Sequence, residues 1–72
     1  MNAALADRAR QLVGQHAPRT PERRAAAALH TALITTKTTD AARRALDTFG
    51  DPQTRAAARV LLYDLEHQQE TA

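Results

Sequence analysis

The segment Asp51–Glu70 reads DPQTRAAARVLLYDLEHQQE and carries the strongest structural signal in the chain. An aspartate followed by a proline marks a helix start. The side chain of Asp51 can accept the first free backbone N–H groups, and Pro52 has the backbone angle that the first helical turn requires. No further glycine or proline occurs before Glu70. The segment therefore predicts a long helix over residues 52–70, which we expect the rest of the chain to pack around.

This predicted helix has two apolar faces when its residues are placed at about 100° intervals. The main face carries Ala57, Ala58, Leu61, Leu62 and Leu65. A smaller patch of Ala56, Val60 and Tyr63 lies apart from it, with Asp64 between the two. A surface helix of a simple monomer needs only one apolar face. Two interpretations stay open: other helices of the chain cover both faces, or the smaller patch contacts a second subunit or another protein.

The pattern at the start of this helix occurs a second time. Thr20–Ala27 (TPERRAAA) matches Asp51–Ala58 (DPQTRAAA), with a capping residue, a proline and an alanine run in the same places. Apolar periodicity and the two glycines divide the chain into helices over about 2–13, 21–37, 40–49 and 52–70. We predict an all-α fold, a small bundle of four helices arranged as two antiparallel αα-hairpins, within one domain over residues 1–72.

The predicted helix boundaries rest on local signals of unequal strength. Asn2 is the expected N-cap of the first helix, and Thr39 or Asp40 that of the third. The β-branched run 34–39 is unfavourable for helix, so the second helix is expected to end near Thr36 or Lys37.

The segment Ala45–Leu61, ALDTFGDPQTRAAARVL, resembles the inner turn of a HEAT-like repeat. Units of that family form long arrays that act as protein-binding scaffolds, so the resemblance implies a protein partner. It covers about one unit, whereas a solenoid needs three or more. A compact four-helix arrangement accounts for the same residues.

Composition narrows the class of protein. The 72 residues include no cysteine, the net charge is +2, and all but one of the ten basic residues are arginine. Neither a signal peptide nor an apolar run of about 20 residues occurs, so we expect a soluble, cytoplasmic protein without a membrane partner. A core this small rarely supplies more than about 3–5 kcal/mol, which favours self-association or a bound partner.

Catalytic patterns are not evident. The histidines His16, His30 and His67 lie far apart, and Asp64 lies three residues before His67. That pair could share a proton or a metal ion, although a surface hydrogen bond is the expected role. Both glycines mark helix ends rather than a phosphate loop. We predict no enzymatic activity, no cofactor, no metal and no small-molecule substrate.

The preferred functional prediction is a protein–protein interaction module that self-associates, most simply as a homodimer, or docks on a larger partner through helix 52–70. The predicted contact residues are Val60, Leu62, Tyr63 and His67. Tyr63 leads this set because tyrosine is enriched at binding hot spots.

The alternative prediction is a DNA-binding regulator. The helix pair 40–49 and 52–70 would form a helix-turn-helix across the tight turn at Gly50. The predicted nucleic-acid contacts are Gln53, Thr54, Arg55 and Arg59, whose side chains suit bases and phosphates. The length and apolar character of helix 52–70 count against a position in a DNA groove.

Overall fold

The computed structural model describes the backbone of residues 2–70 and the side chains of residues 2–68. Met1, Thr71 and Ala72, which the single-domain prediction includes, lie outside the described residues. Within residues 2–70 the chain forms four helices and no strand: α1 (Ala3–Gln15), α2 (Pro21–Ile34), α3 (Thr39–Leu46) and α4 (Pro52–Glu70). The predicted all-α bundle of four helices is confirmed.

The helix at the centre of the bundle is α2 rather than α4. It packs most extensively against α1, next against α4, and it also contacts α3. The contacts of α4 with α1 and with α3 are much smaller than its contact with α2. The long C-terminal helix is therefore one wall of the bundle, and α2 is the element on which the other three meet.

Polar contacts show how the helices of each pair run. The side-chain amide of Asn2, at the start of α1, donates to the backbone oxygen of Thr36, just beyond the end of α2. Arg43, in α3, bonds Glu66 near the end of α4 at 2.8 Å. Asp47, just after α3, pairs instead with Arg59 earlier in α4, at 3.5 Å. Both pairs are therefore antiparallel.

The core is built from leucine and alanine. Its largest fully buried side chains are Leu29, Leu33, Leu46 and Leu62. Four alanines with no exposed surface lie among them: Ala9, Ala26, Ala42 and Ala58. Alanine at the contacts lets helix backbones approach closely, so a short chain can enclose a dry core with few large side chains. Phe49 is only partly buried and packs against this core from the turn after α3.

The helix starts at Thr20 and Asp51 behave as the local sequence predicts. The Thr20 side chain accepts from the backbone N–H of Arg23 at 3.3 Å, and Pro21 is the first residue of α2. The Asp51 carboxylate accepts from the backbone N–H of Gln53 at 3.1 Å and from the hydroxyl of Thr54. The Thr54 hydroxyl, followed by the two backbone N–H groups and the nearby Arg24, lowers the pKa of Asp51 despite some opposing desolvation.

The predicted end of the second helix, at residue 37, is wrong by about a turn. α2 ends at Ile34, because the threonines after it bond back onto the helix with their side chains. Thr35 Oγ1 donates to Thr31 O at 2.8 Å, and Thr36 Oγ1 donates to Ala32 O at 2.6 Å. Such side-chain bonds compete with continued helix.

The bounds of α3 and α1 also differ from the prediction. Thr38, not Thr39 or Asp40, caps α3 by accepting from the N–H of Ala41 at 3.1 Å. α3 ends at Leu46 rather than 49, and residues 47–49 tighten into bonds between residues three apart. α1 runs through Gly14 to Gln15, so that glycine does not end the helix.

Asn2 does not cap α1, in contrast to the prediction. Its backbone is helical (φ −86°, ψ 0°), and its side chain makes no capping bond. The side chain is instead buried against the link between α2 and α3. Its amide nitrogen lies 3.2 Å from Thr36 O, Thr36 Oγ1 and Thr38 O, and 3.5 Å from Leu33 O. Asn2 thus holds the start of α1 to the end of α2.

Candidate protein-interaction surface

The most conspicuous surface feature is an apolar stripe on α4. Val60 and Tyr63 are 61% and 59% exposed, and Ala56 and His67 are exposed beside them. These four residues are spaced four, three and four positions apart, and at about 100° per residue they share an arc of about 60°. We call Ala56, Val60, Tyr63 and His67 the outer face of α4.

The opposite side of α4 belongs to the core. Thr54, Ala58, Leu62 and Leu65 are the buried residues of the helix within residues 52–68. Their mean direction lies about 175° from that of the outer face at the helical angle of about 100° per residue. α4 is therefore buried along one side and exposed along the other.

Leu62 was predicted to be a contact residue, and the structure contradicts this. Its side chain is completely buried within the core formed with Leu29, Leu33 and Leu46. The reason is geometric, because residue 62 lies on the inward side of the helix, between Ala58 and Leu65. A partner cannot reach it without unfolding the bundle. The predicted contacts that remain accessible are Val60, Tyr63 and His67.

Tyr63 and His67 form one unit on the outer face. Their ring centroids lie 3.9 Å apart with the planes inclined by 33°. His67 Nδ1 lies 2.8 Å from the backbone oxygen of Tyr63, a distance that suits a hydrogen bond donated by the imidazole. The bond and the stacking orient the imidazole against the tyrosine ring. The two side chains therefore make a broad aromatic ridge rather than two independent groups.

A shallow groove of about 200 Å³ lies beside Val60. It separates α4 from the start of α2, and its lining residues are His16, Glu22, Ala25, Ala57, Val60, Leu61 and Asp64. Most of this lining is apolar, and the Glu22 carboxylate adds a hydrogen-bond acceptor. The helical wheel alone does not reveal this groove, because His16 and Glu22 reach α4 only through the packing of α1 and α2.

A further exposed apolar residue, Ile34, lies elsewhere. It is 60% exposed at the end of α2, where it borders a groove that also includes Asn2, Ala3 and Lys37. It shares neither helix nor groove with Val60. Ile34 is a single exposed side chain, which is common on protein surfaces, whereas the outer face of α4 is a continuous stripe.

Three of the four predicted nucleic-acid contacts are engaged within the chain. Thr54 is buried, and its hydroxyl bonds Asp51, so this residue cannot read a base. The guanidinium of Arg55 donates to the backbone oxygen of Phe49 at 2.9 Å and to that of Asp47 at 3.4 Å. Arg59 pairs with Asp47. Only Gln53 is exposed with no side-chain bond.

These arginines bind carbonyl and carboxylate groups near the end of α3 rather than form a basic patch. Arg55 binds carbonyl groups that the helix end leaves without backbone partners, and Arg59 neutralises the neighbouring carboxylate. Arg43 and Arg24 likewise pair with Glu66 and Asp51. The sequence suggested DNA contacts from residue type alone and could not show that the turn after α3 uses the same side chains.

Metal ligands do not gather in the described part of the chain, where no group of three or more His, Asp or Glu side chains could hold an ion. The suggested Asp64–His67 pairing is replaced by the contact of His67 with Tyr63. None of the described helices is both long and apolar enough to cross a bilayer. The expected cytoplasmic location stays a prediction.

Comparison of the chain with protein-family models, with curated proteins and with solved structures finds no match in any of the three. The HEAT-like resemblance of Ala45–Leu61 therefore stays a likeness of one segment.

Proposed function

We propose that the protein is a non-enzymatic protein–protein interaction module whose contact surface is the outer face of α4. The observation that carries the proposal is the exposure of Val60 and Tyr63, neighbours on one helix, at 61% and 59%. Apolar stripes of this kind bind other proteins by removing their surface from water. Tyrosine contributes a large rigid ring at a small entropic cost, which is why it is frequent at binding hot spots.

The partner can be a second copy of the chain or a larger protein, since either one would cover the same stripe. The small core supports this proposal. A chain of 72 residues has little apolar surface to bury internally, and a partner on α4 adds to its stability by mass action. No catalytic step is proposed, because the chain lacks cysteine and its histidines lie on three separate segments.

Nucleic-acid binding is not advanced as a second candidate. Among its four predicted contacts, Thr54 is buried and both Arg55 and Arg59 have partners within the chain. A net charge of +2 gives little general attraction to phosphates.

Affinity co-purification with the immobilised chain tests the proposal. Val60→Glu should abolish retention of the partner, whether that is a second copy with a different tag or another protein. The reason is that binding would bury an unpaired carboxylate. Circular dichroism should show unchanged helicity, because Val60 is 61% exposed and lies on the side of α4 that faces away from the core.

Ile34→Glu is the matched control, since Ile34 is also β-branched and almost equally exposed. It should retain the partner as the unaltered chain does. Equal retention by all three baits, or retention by none of them together with a strict monomer in sedimentation at about 1 mM, would contradict the proposal.

A further inference from the structure

The outer face of α4 has the spacing of a two-helix seam. In pairs of packed helices, apolar side chains four and three residues apart interlock along the line of contact. Ala56, Val60, Tyr63 and His67 follow this spacing, and all four are exposed. An incoming α-helix is therefore the shape that this face fits best.

The order of side-chain sizes along the seam suggests which helix. Small side chains, Ala56 and Val60, occupy its first half, and the rings of Tyr63 and His67 occupy its second half. An antiparallel copy of α4, with the two-fold axis midway between Val60 and Tyr63, sets each small side chain opposite a ring. Val60 then faces Tyr63 of the second copy, and Ala56 faces His67 of the second copy.

A parallel copy lacks this complementarity. It would place Tyr63 against Tyr63 and His67 against His67, with Ala56 opposite Ala56 in a layer too thin to fill. Two imidazoles in contact would also repel each other when protonated. The antiparallel arrangement fills its layers more evenly, as close packing at an interface requires.

The groove beside Val60 can accommodate the Tyr63 ring of the second copy. Its lining includes Ala57 and Leu61 on α4 and two carboxylates, Glu22 on α2 and Asp64 on α4. A tyrosine from the second copy can bury its ring against the apolar groups and direct its hydroxyl toward one of the carboxylates. Buried tyrosine hydroxyls usually find such a partner.

Charges along the border of the seam are also self-complementary. Arg59 and Glu66 lie on the same border, seven residues apart, and a border faces itself in an antiparallel pair. Arg59 of each copy, whose exposed ion pair with Asp47 of its own chain spans 3.5 Å, thereby approaches Glu66 of the other copy, which already bonds Arg43 at 2.8 Å. A parallel copy would bring Arg59 near Asp64 instead. The charges therefore favour pairing with a second copy in either direction, and the side-chain sizes select the antiparallel one.

We propose that the protein forms a two-fold symmetric dimer in which the outer faces of two α4 helices pack antiparallel. This inference rests on the proposed function and names its partner. The expected association is weak, because one helix face buries less than the roughly 800 Å² per partner of a standard interface.

Disulfide trapping tests the direction, and the natural absence of cysteine makes an introduced thiol unique. The variants Ala56→Cys and His67→Cys are oxidised separately and as an equal mixture. The antiparallel dimer should give a disulfide only in the mixture, between one chain of each kind. Within either variant alone the two thiols lie about 16 Å apart along the seam, far beyond the roughly 7 Å limit between Cα atoms.

Sedimentation equilibrium from roughly 10 µM to 1 mM supplies the second measurement, a range that suits weak interfaces. The unaltered chain should approach twice its monomer mass, and Tyr63→Ala should raise the dissociation constant at least about tenfold. Ile34→Ala should leave it unchanged.

Each other outcome overturns the inference. Disulfides in each variant alone would indicate parallel helices. A strict monomer at about 1 mM with no trapped mixed disulfide would exclude the dimer. The proposed function is judged separately: it stands if Val60→Glu still abolishes retention of a different protein, and it fails together with the dimer if no bait retains anything and sedimentation finds only monomer.

Discussion

Helices α2 and α4 start alike but lie in different surroundings within the bundle. Each opens with a capping side chain and a proline, and each continues into an alanine run. α2 nevertheless has neighbours on three sides and buries six of its residues: Ala25, Ala26, Ala28, Leu29, Ala32 and Leu33. α4 is longer but has core contacts along one side only, and it leaves Val60 and Tyr63 bare. The position of a helix in the bundle, rather than the quality of its start signal, decides how much of it is buried.

The largest expected effect is the difference in free energy of unfolding between alanine variants at buried positions of the two helices and those at exposed positions. Leu29→Ala in α2 and Leu62→Ala in α4 should each lower the free energy of unfolding by about 2–5 kcal/mol, because each leaves a cavity in a fully buried site. Ile34→Ala and Val60→Ala should change it by no more than about 0.5 kcal/mol. Urea unfolding followed by circular dichroism, at about 1 µM to avoid any association, measures the four values. A loss at Val60 as large as that at Leu62 would show that the outer face supports the fold.

The next effect concerns the end of α2, which the buried side chain of Asn2 supports, whereas the bond from α1 to the end of α4, from Arg8 to Gln68 at 2.9 Å, is exposed. Asn2→Ala removes the amide that lies within 3.2 Å of Thr36 O and Thr38 O, and it leaves partly buried acceptors without that donor. We expect a loss of about 1–3 kcal/mol in urea unfolding. Gln53→Ala is the matched control, because it deletes an exposed amide from α4 and should cost no more than about 0.5 kcal/mol. Equal losses in the two variants would mean that the Asn2 amide does not hold α1 to α2.

The smallest effect is a difference between the two helix starts in how the stability from the capping residue depends on pH. Hydrogen bonds from Thr54 and the helix backbone hold the pKa of Asp51 below its ordinary value, so the folded chain favours the charged form. Its contribution to stability is full above the ordinary aspartate pKa of about 3.9 and is lost as the pH falls through the lowered value. The Thr20 side chain does not ionise, so its contribution to stability should not change with pH in this range.

Urea unfolding at about pH 7, 5 and 3 measures the difference. The gap between the unaltered chain and Asp51→Asn should be largest at the two higher values and should shrink at the lowest. Thr20→Ala should cost about 1 kcal/mol throughout. A gap for Asp51→Asn that does not change with pH would show that the carboxylate charge plays no part in starting α4.

A feature can be predicted from the sequence when neighbouring residues determine it, and it cannot when residues far apart in the chain determine it. The starts of α2 and α4 depend on neighbouring residues, so the pairs Thr20-Pro21 and Asp51-Pro52 suffice to locate them. The exposed patch at Val60 and Tyr63 follows from the helical angle, although the angle alone cannot say which face the chain covers. The role of Asn2 depends on carbonyl groups more than thirty residues away, and no local pattern reveals it.

Residue type was misleading where one side chain could serve two purposes. Arg55 suited a phosphate equally well, but the carbonyl groups at the end of α3 lie within its reach. Leu62 was assigned to the contact surface although its neighbours on the inward side, Ala58 and Leu65, are core residues. In both cases the tertiary contact determined the role, and that contact depends on how α3 and α4 pack.

The two sides of α4 share no residue, and this separation has an evolutionary consequence. The inward set Thr54, Ala58, Leu62 and Leu65 is constrained by the fold. The outward set Ala56, Val60, Tyr63 and His67 has no core neighbour to satisfy, so its side chains can drift toward a new binding specificity without crossing the stability threshold. A duplicated copy of this chain could therefore diverge in what it recognises while keeping its architecture unchanged.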